Sequence, residues 1–233
     1  MVKNVLAELK AGASAERAKA NTWFFKTGPG EYGEGDKFWG LTVPQVRIAA
    51  KKYKYIPLNE ILLLLRNEVH EVRLCGVLML VARYPKDPDN VYKFYLENTK
   101  YINNWDLVDA SAWCIVGHYL FKGSRKILFV LARSKNIWER RIAIIASFYF
   151  IKQGDAKDAL KIAEMLIDDK HDLIRKAVGW MLREIGKRCS REIEEEFLGK
   201  YASTMPRVTL RYAIEHFPEE KKKYFMGLKS AAI

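Results

Sequence analysis

Apolar residues recur at three- and four-residue spacing along almost the whole chain, in VLAEL, VRIAAKKY, EILLLL, VRLCGVLMLVARY, VYKFYL, KILFVLAR, RIAIIASFYF, ALKIAEMLI, KAVGWMLREI and EIEEEFL. That period belongs to amphipathic helices, and the alternation of a half-buried strand is nearly absent. Thr42 and Gln45 have capping-box spacing, and Pro44 sits just inside the same helix. GS at 123–124 and KQGD at 152–155 read as short turns between helices. The predicted fold class is all-α.

The helices also repeat. HEVRLCGV, LVDASAWC, ERRIAIIA, IRKAVGWM and TLRYAIEH can be overlaid, which puts Arg73, Asp109, Arg141, Lys176 and Arg211 in one column at spacings of 36, 32, 35 and 35. Such a period predicts stacked helical pairs in a HEAT-like solenoid, a single domain over residues 1–233, with the column lining a concave basic groove. The column reads base, acid, base, base, base. Asp109 has two explanations at this point: it bonds a neighbouring Arg in a ladder between repeats, or it works in the groove.

Composition narrows the partner. The 233 residues are 49% hydrophobic, enough for a core, and carry a formal net charge of +12 with pI near 9.5. That excess favours a polyanion such as nucleic acid or an anionic membrane surface. No apolar run approaches the ~18 residues of a spanning helix, and the N-terminal segment lacks the apolar core of a signal peptide, so a cytoplasmic protein is expected. Cys75, Cys114 and Cys189 are far apart and read as buried thiols. His70, His118, His171 and His216 show no metal-ligand pairing, so neither a metal nor a cofactor is expected.

Trp105 precedes Asp109 by one helical turn, and Trp180 follows Lys176 by one turn. Trp113 and Trp138 read as core, whereas Asn103, Asn104 and Asp106 surround Trp105 with polar groups, as at a helix start open to a cleft. Cations, two indoles and one carboxylate suit nucleic acid in which positive charge develops. Cleavage of a glycosidic bond is such a reaction. A purine alkylated at N3 or N7 is cationic and leaves an oxocarbenium-like sugar, which a carboxylate stabilises and indole faces attract.

INNWDLVD, NIWERR and KAVGWMLRE, in order between about residues 20 and 217, resemble the motifs of AlkD-type DNA alkylation repair glycosylases. The resemblance implies a HEAT-like solenoid that excises 3-methyl- and 7-methylpurines from duplex DNA without drawing the base into a pocket. It implies a catalytic set of Trp105 and Trp180 as the indoles, Asp109 as the carboxylate, and Arg141, the arginine ending NIWERR, which is expected to contact a phosphate. Arg73, Lys176, Arg183 and Arg211 are then expected to contact DNA, with Thr42 where the family commonly has a glutamine. A monomer on duplex DNA, associated with the nucleoid when bound, is the expected state.

FFKTGPGEYGEGDKFWGL, at 24–41, lacks a nucleotide-binding motif and reads as a flexible connector or a DNA-touching loop. EEE at 194–196 reads as a solvated face, and KKK at 221–223 as a basic tail. Two rivals to the glycosylase stand: a noncatalytic DNA-structure binder on the same scaffold, and a HEAT-like scaffold for an acidic protein.

Overall fold

The helical period is realised throughout. The computed structural model describes residues 1–228 and shows no strand among them, only an isolated parallel bridge between Lys37 and Val69. Residues 229–233, the end of the expected 1–233 domain, lie outside the described residues. The chain divides into two compact units, Met1–Ser111 and a second beginning at Ala112. No described helix is long and apolar enough to cross a membrane.

The first unit contains α1 (Val2–Ala11), α2 (Ala15–Phe24), α3 (Val43–Tyr53), α4 (Leu58–Leu65), α5 (His70–Arg83), α6 (Pro88–Glu97) and α7 (Trp105–Asp109). Helix α5 packs against α3, α4, α6 and α7 and is buried without a break from His70 to Leu80, as suits a central helix. At the start of α3 the predicted capping box is present, with the Gln45 carboxamide accepting the Thr42 N–H at 2.8 Å. Helix α2 is different, because it buries none of its residues and leaves Trp23 83% and Phe24 55% exposed.

The second unit opens with a π-helical turn at Trp113–Gly117 that runs into α8 (His118–Leu120). It continues through α9 (Lys126–Leu131), α10 (Ile137–Ala146), α11 (Phe148–Lys152), α12 (Lys157–Leu166), α13 (Asp172–Arg188), α14 (Arg191–Tyr201), α15 (Arg207–Ala213) and α16 (Glu219–Gly227). Its longest helix, α13, packs on α10, α12, α14 and α15 through Ile174, Ala177, Val178, Met181, Leu182 and Ile185, the helical spacing of one apolar face.

Side-chain bonding revises the repeat register. Arg73 Nη1 donates to the carbonyls of Asn67 and Glu68, six and five residues earlier, and Arg140 Nη1 donates to those of Ser134 and Lys135 at the same offsets. Arg175 Nε reaches the Asp169 carbonyl, again six residues back. The arginines that brace the start of their own helix are therefore Arg73, Arg140 and Arg175, and by this criterion the overlay of Arg73 with Arg141 and Lys176 is off by one residue.

Three smaller expectations change. Glu194 is fully buried, paired with Arg191 at 2.9 Å, and burial pushes its carboxyl up to about 8, so EEE is not a uniformly solvated face. The KKK run lies on α16, where Lys221 pairs with Glu195 and Lys222 with Glu219, rather than in a free basic tail. Cys75 is buried and its thiol pushed up to about 12 by burial, but Cys114 and Cys189 are only half-buried. Trp138 is core, as expected; Trp113 is half-buried.

Candidate active site in the first unit

The Gly-rich segment is an ordered wall, fastened at two carboxylates. Glu71 on α5 accepts the backbone N–H groups of Trp39, Gly40 and Leu41 at 3.0, 2.8 and 3.2 Å, and the Asn21 amide of α2 at 3.3 Å. Gly40 has φ +78, and a Cβ there would lie 2.1 Å from the Ser14 carbonyl, so only glycine allows the wall to approach α2. The second fastening is Asp36. Its Oδ1 accepts from Arg73 Nη2 at 2.6 Å, and its Oδ2 faces His70 Nδ1 at 3.3 Å and the Asn104 amide at 3.2 Å.

His70 joins this wall to α7. Its Nε2 lies 2.8 Å from Asp106 Oδ2, so the ring bridges two carboxylates while only 2% exposed. The rings of Phe25 and Phe38 lie 4.5 and 5.0 Å from it. Burial opposes the charged imidazole, but Asp106 and Asp36 outweigh both burial and the repulsion of Arg73, and they lift its pKa to about 9. Burial likewise pushes Asp36 upward, yet His70 and Arg73 hold it below the usual carboxylate range. His70 is accordingly an imidazolium at neutral pH, donating from both nitrogens.

The residues on both sides of Trp105 are therefore held. Asn104 accepts the Trp105 N–H at 2.8 Å, capping α7, and donates to Asp36; Asp106 is held by His70. The indole stacks on Phe25, with ring centres 5.5 Å apart and planes 21° from parallel, and meets the edge of Phe24 at 5.9 Å. Trp105 and Asp109 border a cleft of about 490 Å³ whose floor is largely apolar, with Leu41, Leu74 and Leu78, and whose rim carries Arg17 and Arg47. Thr42 also lines it, though its hydroxyl donates to Gln45 Oε1 at 2.8 Å.

Of the predicted residues, the first unit thus brings Trp105, Asp109 and Thr42 to one cleft. Arg73 is not on its surface: the guanidinium is 4% exposed and bonded to Asp36 and two carbonyls, which corrects the expectation of a DNA contact. The contributions of Phe25, Asp36 and His70 were not foreseen. An acid between Gly35 and Lys37, in a segment read as a connector, was the available signal.

The remaining residues belong to the second unit. Arg141 is 5% exposed and donates to the Leu173 carbonyl at 2.6 Å, so the expected phosphate contact meets a buried side chain bracing the first turn of α13. Lys176 pairs with Asp172 at 2.6 Å, Arg183 pairs with Glu215, and Arg211 is exposed, its Nε reaching the Arg207 carbonyl at 3.3 Å. Trp180 is half-buried beside Phe148, with ring centres 6.1 Å apart.

The fold is that of known helical-repeat proteins. It is similar to the solved structure of a predicted DNA alkylation repair enzyme from Enterococcus faecalis, with a TM-score of 0.72 and 15% identity over 89% of this chain and 97% of that one. It is also similar to AlkD2 from Streptococcus mutans, with a TM-score of 0.57 and 20% identity over 77% of this chain and 91% of that one. At these identities the likeness concerns the fold. Comparison with curated proteins gives no match. The model of the DNA alkylation repair enzyme family matches residues 5–217, nearly the whole chain, and the protein belongs to that family.

Proposed function

We propose that the protein is a monofunctional DNA glycosylase, a monomer needing no cofactor, that excises cationic N3- and N7-alkylated purines from duplex DNA. In this reading it hydrolyses the N-glycosidic bond without base flipping, leaves an abasic site and works in the cytoplasm on chromosomal DNA. The observation that carries it is the pairing of Asp109 with Trp105, one helical turn apart, at the border of a largely apolar cleft.

The alkylated purine is already cationic, so the bond from C1′ to the base nitrogen breaks with its electron pair passing to the base, which departs neutral. Positive charge moves to the sugar as an oxocarbenium-like cation. The Asp109 carboxylate stabilises that cation and orients a water; the water oxygen bonds to C1′ and its proton passes to the carboxylate. The face of Trp105 attracts the cation, and the apolar surroundings strengthen these interactions; Trp180 is the proposed catalytic indole of the second unit. Lys176, Arg183 and Arg211 are proposed phosphate contacts, and Thr42 a contact at the cleft rim. Arg73 and Arg141 act by bracing helix starts, not by touching DNA.

A noncatalytic DNA-structure binder is the second reading, favoured by the buried state of Arg141. Incubation of the purified protein with methylated duplex DNA, followed by assay of free methylpurine, separates the two. Release above a heat-only control is expected; binding without release would establish the alternative.

A further inference from the structure

We propose that the surface of the second unit marked by Trp113, Phe148 and Trp180 is a docking surface for the duplex backbone, on which Lys152 and Arg188 hold nearby phosphates of one DNA strand. The proposal rests on the glycosylase reading only in taking DNA as the polyanion.

The three rings form a continuous run. Trp113 meets Phe148 edge to face at 5.9 Å, and Phe148 lies 6.1 Å from Trp180. They recur at intervals of 35 and 32 residues, so successive repeats contribute one ring each. All are half-buried, unlike the enclosed Trp138. Trp113 opens the π-helical turn, a local departure from α-geometry that redirects side chains. The turn sits tight against α10, since a Cβ on Gly117 would lie 2.2 Å from the Ala146 carbonyl.

Cations lie across this run. Lys152 Nζ is 4.5 Å from the centre of the Trp113 ring and 6.0 Å from that of Phe148. Its side chain is exposed, and no carboxylate of the described residues pairs with it. The Arg188 guanidinium is 5.3 Å from Phe148, with its Nε on Glu184 at 2.6 Å and the side chain 37% exposed. Glu184, the acid of this surface, is matched by Arg188 and lies 4.0 Å from Arg183.

A surface lysine ordinarily samples many rotamers, and an anion that binds it must order the stem. Here the ammonium lies over aromatic faces, which hold it in place on a side chain that is otherwise exposed. Much of the ordering cost is thereby met before DNA arrives. Because both cations flank the Phe148 ring, they are no more than about 11 Å apart, within reach of neighbouring phosphates of one strand. Regularly repeated rings and cations suit a polymer whose phosphates are themselves regular.

The test is fluorescence-anisotropy titration of undamaged duplex DNA across a salt series. Lys152→Ala should weaken binding severalfold and reduce the slope of log K against log salt by ~1, while Lys152→Arg keeps the slope. Lys161→Ala, which removes an exposed lysine of α12, should leave the slope unchanged. Trp113→Leu, which keeps an apolar side chain but removes the ring, should weaken binding in the same direction as Lys152→Ala. An unchanged slope in Lys152→Ala, or an equal drop in Lys161→Ala, overturns the docking surface. Lys152-dependent binding by a protein that releases no methylpurine overturns the glycosylase reading and leaves the docking surface standing; excision with Lys152-independent binding does the reverse.

Discussion

His70 Nε2 and Asp106 Oδ2 lie 2.8 Å apart, and this contact ties the helix bearing Trp105 and Asp109 to the central helix of its unit. His70 has a folded pKa of about 9, above its ordinary 6.5, so its stabilisation is complete below pH ~6.5 and is lost as pH rises through ~9. A shift of that size corresponds to a contribution on the order of 3 kcal/mol. His70→Gln should therefore be less stable than wild type at pH 6, and the gap should narrow toward pH 10. Denaturant unfolding across this range measures it, and parallel profiles for the two proteins would show that His70 does not stabilise as a cation.

Asp109→Asn keeps the shape of the side chain and removes the charge assigned to the sugar cation. Excision should fall by ~10²-fold or more, the scale of losing one electrostatic stabiliser, while melting temperature and undamaged-duplex binding stay near wild type. A ladder residue would give the opposite pattern: lower stability, with normal excision by the folded fraction.

Trp105→Ala and Trp180→Ala should each slow single-turnover excision by removing an aromatic face worth ~1 to 2 kcal/mol when desolvated. If the base stays outside an enclosing pocket, wild type should also act on a bulkier cationic 7-alkylguanine. Loss of that activity, with normal release of 7-methylguanine, would contradict excision without base flipping.

Arg141→Ala should behave as a stability variant. Removing a buried guanidinium that donates to the Leu173 carbonyl leaves that bond unmade, at a cost of roughly 1.5 to 3 kcal/mol. The salt slope of DNA binding should hold. A slope reduced by ~1 with unchanged melting temperature would return Arg141 to the DNA interface.

The helices were legible because their apolar period is local, and so was the bond between Thr42 and Gln45, three residues apart. Trp105 and Asp109 were legible as a pair for the same reason. The Asp36 to His70 contact spans 34 residues and joins a glycine-rich stretch to a helix, so no periodicity announces it. The repeat register slipped by one because an overlay of residue types does not see the carbonyls that Arg73 and Arg140 cap. Indoles are usually core, and nothing local marks Trp113 as different; its place at a π-helical turn beneath Lys152 depends on tertiary packing.

Helix α2 contributes Arg17, Asn21 and Phe24 to the cleft, yet it buries no residue of its own. It is pinned by the Ser14 N–H to the Trp39 carbonyl at 2.8 Å, by Asn21 to Glu71, and by Phe25 just beyond its end in the aromatic stack. Such a helix can detach locally without disturbing the core around α5. Native-state hydrogen exchange should show α2 amides opening at a lower free energy than those of α5, with equal protection in both helices counting against this. One side of the cleft is thus a separable wall, whose opening is set by a few local fastenings rather than by the stability of the whole protein.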